Sequence, residues 1–168
     1  MAKQKTIDPI VELKDLVDEI VHTEGIQPDE AFVLWFIRSH LLEDQTASRN
    51  CLTRRGNEKG VDGIYIDHAA RQVDIIQGKY RTKRIGKPEA RQDVMQLAFY
   101  GRLMSQEEDN IAQLAETVDV SVRAKLLEAR RLIRKKEYDL NLYFITTGTI
   151  SQFDHTRCGR HRRRRQAG

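Results

Sequence analysis

The chain has 168 residues, of which 39% are apolar and 32% charged, enough for one domain with its own core. No apolar run approaches the roughly eighteen residues of a membrane span. Met1 to Lys5 leads into Thr6-Ile7-Asp8-Pro9 rather than an apolar signal core, so a cytoplasmic location without a membrane partner is expected. The formal net charge of +4 hides an asymmetry. Six arginines (157, 160, 162, 163, 164 and 165) crowd the end, and without them the remainder carries −2. A broadly basic nucleic-acid binder is therefore excluded, and any attraction for phosphate must be local. Cys51 and Cys158 show neither metal-ligand spacing nor a disulfide framework and read as free thiols.

In chain order, Asp8-Pro9 is a helix start, with an N-cap residue followed by proline at the first helical position. Ile10, Leu13, Leu16, Val17, Ile20 and Val21 then recur at helical spacing, which predicts a helix over about 8–22, ended by Gly25. Pro28 opens a second helix with Asp29 and Glu30 in its first turn. Phe32, Val33, Trp35, Phe36, Ile37, Leu41 and Leu42 make it apolar on most sides, as expected of a central packing helix. The stretch 44–59 is polar and reads as a loop, with a short strand conceivable at 50–53. Its Arg54 and Arg55 are candidate phosphate contacts, although a charged loop is more often simply solvated.

The stretch from Gly60 to Lys79 carries the chemistry. Val61, Ile64, Tyr65 and Ile66 form one β-branched and aromatic run, and Val73, Ile75 and Ile76 form another, with His68 to Arg71 as the turn of a hairpin. Side chains alternate along a strand, so Gln77 and Lys79 share one face and Gly78 and Asp74 the other. Antiparallel pairing brings Asp62 level with the Gln77–Lys79 end. A carboxylate and an amide oxygen are hard ligands suited to Mg²⁺, and a lysine can stabilise developing negative charge or orient water. This is equipment for hydrolysing a phosphodiester. The competing reading is an ordinary hairpin in which Asp62 caps a turn and Lys79 is solvated.

Arg81, Lys83, Arg84 and Lys87 follow as a local basic loop, a candidate nucleic-acid contact. Pro88-Glu89 is the expected start of a helix through Val94, Leu97, Ala98 and Leu103. A further helix is expected over 107–118. Ser121 is the expected cap of another, which carries seven cations between Arg123 and Lys136. Leu140 to Gly148 reads as a buried strand that returns by crossover to the hairpin sheet. From Asp154 onward the pattern stops, and 154–168 reads as a basic disordered tail after a single domain of 1–153 with its core at about 28–150.

Asp62 followed by Gln77-Gly78-Lys79 resembles the catalytic motif of the PD-(D/E)XK nucleases, in the variant, typical of Mrr-like restriction endonucleases, in which glutamine replaces the second acid. The wording Glu58-Lys59-Gly60-Val61-Asp62-Gly63-Ile64-Tyr65 and Ile75-Ile76-Gln77-Gly78-Lys79-Tyr80 is more specifically similar to the nuclease domain that opens the abortive-infection phage-resistance (AIPR) proteins. The resemblance covers about 28–150. It implies an α/β fold, the restriction-endonuclease-like αβββαβ core with a mixed central sheet flanked by helices. It also implies a Mg²⁺-dependent endonuclease acting on DNA in phage defence, with Mn²⁺ as the alternative ion and a homodimer left open. Asp62 and Gln77, with the carbonyl of Gly78, would hold the metal, and Lys79 would orient water and stabilise charge. In that family the helix before the first strand often adds an acid, which points to Glu30, with Glu43 as competitor. A polar residue of the following helix, here Gln96, often reaches the site. The AIPR proteins normally carry a long further region that the end of this chain does not resemble. A non-catalytic nucleic-acid-binding or assembly module that keeps the fold is the alternative.

Overall fold

The computed structural model describes residues 9–53, 60–83, 86–105 and 119–150, and they form a mixed α/β unit of five helices and a three-stranded mixed sheet. The helices are α1 (Pro9–Glu24), α2 (Pro28–His40), α3 (Gln45–Cys51), α4 (Arg91–Ser105) and α5 (Val120–Lys136). The strands are β1 (Gly63–Asp67), β2 (Gln72–Lys79) and β3 (Asp139–Thr146). The expected helix over 107–118, the tail and Arg54, Arg55 and Arg84 lie outside the described residues. Among the described residues no helix is long and apolar enough to cross a membrane.

The two N-terminal helices follow their sequence signals. Pro9 begins α1, and the Gly25 N–H bonds the Val21 carbonyl at 3.0 Å to close it. Pro28 begins α2, which buries Ala31, Phe32, Val33, Leu34 and Ile37. The polar stretch read as a loop contains α3 instead. Asp44 caps it by accepting from the Ala47 N–H at 2.8 Å. The short strand conceived at 50–53 is reduced to a single antiparallel bridge between Leu52 and Gly63.

β2 is the central strand. It pairs antiparallel with β1, with Gly63 opposite Ile76 and Asp67 opposite Gln72, and parallel with β3 from Gln72–Asp139 to Lys79–Thr146. The hairpin turn forms where expected, because the Asp67 carboxylate accepts from the N–H groups of Ala69 and Ala70, each at 2.8 Å. Alternation along β2 then sorts the core into two layers. Val73 and Ile75, with Ile64, meet Leu97, Tyr100 and Met104 of α4 and Val122, Leu126 and Leu132 of α5. Ile76 turns the other way, onto Val33, Leu34 and Ile37 of α2.

Two expectations about the second half are corrected. Pro88 and Glu89 do not open a helix. Pro88 bridges Thr149, and the Glu89 N–H bonds the Thr149 carbonyl at 2.9 Å, so α4 begins only at Arg91. β3 does return by crossover, parallel to β2, but among the described strands it is an edge rather than a buried strand: Leu142 is 38% exposed. α5 starts at Val120, one residue before the predicted cap.

The helices α1, α2 and α3 are joined by one buried carboxylate. Glu24 accepts from Arg38 at 2.6 Å and from Gln45 at 3.0 Å, and pairs with Arg49 at 3.0 Å. The Arg38 and Gln45 hydrogen bonds hold its carboxyl below the usual carboxylate range, against the opposing effect of burial. A depressed folded-state value means that the stabilisation is present above the unfolded value and is lost as pH falls through the folded one. Glu24→Gln is therefore expected to cost about 2 kcal/mol at pH 7, the scale of charged hydrogen bonds with one partner half exposed. The difference from the parent should shrink in denaturant titrations run below the ordinary carboxylate range. A variant as stable as the parent at pH 7 would remove Glu24 as the tie between these helices.

Candidate functional site

The end of β2 that carries Gln77, Gly78 and Lys79 is built by three approaches. Gly78 faces α2 so closely that a Cβ there would lie 2.5 Å from Val33 Cγ2, a contact no side chain tolerates. Its neighbours Gln77 and Lys79 are thereby turned to the opposite face, toward α4. The Gly78 N–H is taken by the Asp62 carboxylate, at 2.7 Å from Oδ2. Asp62 itself is anchored by its backbone, its N–H bonding the Ile76 carbonyl at 2.8 Å and its carbonyl accepting from the Thr53 N–H at 3.1 Å. The side chain thus stands in for the strand acceptor that β1, which starts at Gly63, no longer supplies. On an extended strand the C=O of a residue points to the same edge as its N–H, so the Gly78 carbonyl faces the Asp62 side as well.

Gln77 has no exposed surface, and neither its Oε1 nor its Nε2 has a hydrogen-bond partner among the described residues. It is sealed by Gly60, whose φ of +86° lies in the left-handed region. A Cβ on Gly60 would sit 2.9 Å from Gln77 Nε2 and 3.2 Å from Gln96 Oε1, so Gln77 and Gln96 crowd the same glycine. Lys79 reaches α4 one turn earlier, with its ammonium 3.2 Å from Asp93 Oδ1. Asp62, Gln77, Lys79 and Gln96 are therefore brought to one end of the sheet, and Asp93 joins them. Asp93 was not among the residues singled out in the sequence. The available signal was its spacing, three residues before Gln96 and four before Leu97 on one helical face.

The acids expected from the preceding segment are used elsewhere. Glu30 bonds the Gln27 N–H at 3.0 Å, an N-terminal capping contact on α2, which packs on the face of β2 opposite Gln77 and Lys79. Glu43 accepts from the Tyr65 hydroxyl at 2.6 Å. Burial first, and then this bond, push the Tyr65 hydroxyl well up. Tyr65 belongs to the α2 layer, so Glu43 also lies across the sheet from Lys79. Asp74 is on that layer too, as its parity requires. It is 2% exposed and bonded to Asn141 at 2.8 Å, and burial raises its carboxyl above the ordinary range.

The basic loop is less available than its composition promised. Arg81 is clasped by Glu89, with Nη2 2.8 Å and Nε 3.2 Å from Oε2, while Glu89 also accepts from Thr146 at 2.6 Å. The Arg81 bond is the main reason the Glu89 carboxyl is held low. Arg81 therefore serves to fasten the loop to the end of β3. Lys83 and Lys87 are exposed and keep the role of candidate phosphate contacts.

Whether these residues suit a divalent ion can be judged from the donors. Asp62 offers a carboxylate, Gly78 a carbonyl, and Gln77 an amide oxygen that is buried and without a partner, all hard oxygen ligands. An orphaned buried amide is expected to have a use or an unseen partner. The set fits Mg²⁺ or Mn²⁺. Among the described residues no three His, Cys, Asp or Glu side chains converge, which a site relying on an amide does not require. No protein-family model matches the chain, and neither does any curated protein or solved structure, so the nuclease resemblance rests on these residues and their placement.

The close approach at Gly78 generates a test of how the site is held. Gly78→Ala should cost roughly 1–3 kcal/mol through overpacking against Val33. In a double-mutant cycle with Val33→Ala, the double variant should lose less than the sum of the single losses. Strict additivity in denaturant titrations would mean that α2 does not set the position of Gly78.

Proposed function

We propose that the chain is a metal-dependent phosphodiesterase, an endonuclease that hydrolyses DNA with Mg²⁺ at the Asp62–Gln77–Lys79 end of the sheet. The observation that carries this reading is the buried, partnerless amide of Gln77 beside the Asp62 carboxylate and on the same strand face as Lys79. The restriction-endonuclease-like core that the motif implies belongs to the same proposal. The hairpin, the crossover and the final parallel strand are compatible with it.

The chain's own residues divide the work. Asp62, fixed through its backbone and its bond to Gly78, is the anionic ligand. Gln77 contributes the amide oxygen, and the Gly78 carbonyl lies at the same edge. Lys79, held on a strand rather than a loop, offers a localised positive charge for a non-bridging phosphate oxygen and a donor to orient the attacking water. Mg²⁺, with Mn²⁺ as the alternative, would supply Lewis-acid polarisation of the phosphate. Gln77 brings no charge, so one ion is easier to hold than two. Lys83 and Lys87 would guide the backbone of the nucleic acid. Phage defence follows from the AIPR resemblance and belongs to this proposal, and a homodimer stays open.

A second reading has its own support. Asp62 completes the strand ladder, and Lys79 and Arg81 are both paired with acids, which suits a module that keeps the fold without catalysis.

Plasmid incubated with protein and Mg²⁺, with and without chelator, separates the two. Asp62→Asn keeps an oxygen for the Gly78 N–H while removing the charge. It is expected to preserve folding and to cut cleavage by roughly two orders of magnitude, as is Lys79→Ala. Gln77→Glu should retain activity, at lower Mg²⁺. Cleavage that persists in chelator, or that survives Asp62→Asn undiminished, would sink the proposal.

A separate expectation concerns binding. Lys83→Ala with Lys87→Ala should weaken affinity for DNA of any sequence and lower the slope of log K against log salt by about two, one unit per lost phosphate contact. Arg81→Ala should chiefly destabilise the loop. A salt slope unchanged by the double lysine variant would place the DNA elsewhere.

A further inference from the structure

The Lys79 ammonium meets a carboxylate that the motif does not include. Asp93 lies on the first turn of α4, with its Oδ1 3.2 Å from Lys79 Nζ, and the two side chains are 24% and 26% exposed. Three residues on, along the same helix face, Gln96 presses against Gly60 beside Gln77. β2 and α4 thus face each other through two matched levels, Lys79 with Asp93 and Gln77 with Gln96, with Asp62 at the strand edge.

The charges at this end are unevenly placed for a cation. Asp62 and Gln77 together carry a single negative charge, and the amide of Gln77 is fully buried with both polar atoms unpartnered. A dication is held better by two carboxylates than by one. Among the described residues Asp93 is the acid whose carboxylate contacts Lys79, and that partner is a flexible lysine that a cation would repel. We propose that Asp93 is the second carboxylate of a divalent-cation site shared with Asp62 and the amide oxygen of Gln77. This inference rests on the metal-dependent reading above. Asp93 contacts Lys79 at 3.2 Å. On binding, the carboxylate turns to the ion and frees the ammonium to face phosphate.

The test is calorimetric titration of the full chain with Mn²⁺, which needs no activity. The parent should bind one Mn²⁺. Asp93→Asn should weaken it at least tenfold, while Asp93→Glu stays within a few-fold and Asp139→Asn, at the far end of β3, changes nothing. Should Asp93→Asn melt below the titration temperature, Lys79→Ala reports the same thing, because freeing Asp93 should tighten Mn²⁺ at least tenfold. Affinity unchanged in Asp93→Asn and lost in Asp62→Asn would reduce Asp93 to an ion-pair partner of Lys79 and leave the nuclease reading standing. A parent chain that binds no Mn²⁺ would overturn both.

Discussion

The backbone of Gly78 is the constraint on which the arrangement depends. Its missing side chain lets α2 come within contact of the central strand, and its N–H fixes the Asp62 carboxylate. Because strand side chains alternate, fixing Gly78 against α2 also fixes Gln77 and Lys79 on the opposite face, where α4 meets them. One residue without a side chain therefore determines the position of three residues with one. The same logic separates the two acidic groups. Asp74, Glu30 and Glu43 belong to the α2 side, and Asp93 belongs to the side of the amide and the lysine.

Charge was the property least predictable from local composition. The segment after β2 reads as a basic patch, yet Arg81 is neutralised by Glu89, and Lys79 by Asp93, both supplied by residues ten or more positions later or by the loop's own far end. Lys125, one of seven cations on α5, is directed onto the carbonyls of Asn50 and Leu52 at the end of α3. A lysine or arginine near a polypeptide's own acids or carbonyl ends spends much of its field internally. The surface left to attract phosphate is narrower than a count of basic residues implies.

Much of the fold was legible because its signals were local. Proline at the first turn and a terminal glycine delimited α1, apolar density marked α2, and two β-branched runs with an aspartate-led turn marked the hairpin. α3 escaped because it is seven residues long and nearly without apolar periodicity, so its only signal was Asp44 as a cap. Pro88-Glu89 looked like a helix start, but pairing with Thr149 outweighed that local preference. β3 looked buried because its apolar run is continuous, yet among the described strands it pairs with β2 alone, and Leu142 is 38% exposed. Within the site, Asp62, Gln77 and Lys79 were readable as a spacing. Asp93 was not, since its meaning comes from a helix–strand contact that no motif contains.

The energetics of Gln77 carry the last step. A fully buried amide with no partner loses the desolvation of both its polar ends, roughly 1–3 kcal/mol for each unsatisfied group. Leucine or methionine at the same place would fill similar volume without that loss, and the surrounding layer of Val73, Ile75 and Leu97 is already apolar. Stability alone therefore favours a hydrocarbon side chain at 77, and the sequence carries an amide. Gly60 closes directly over the amide, where a Cβ would lie 2.9 Å from Nε2. That loss of stability is the physical ground on which the proposed cation site rests. In the proposed site, the carboxylates of Asp62 and Asp93 would supply the negative charge that the neutral amide lacks.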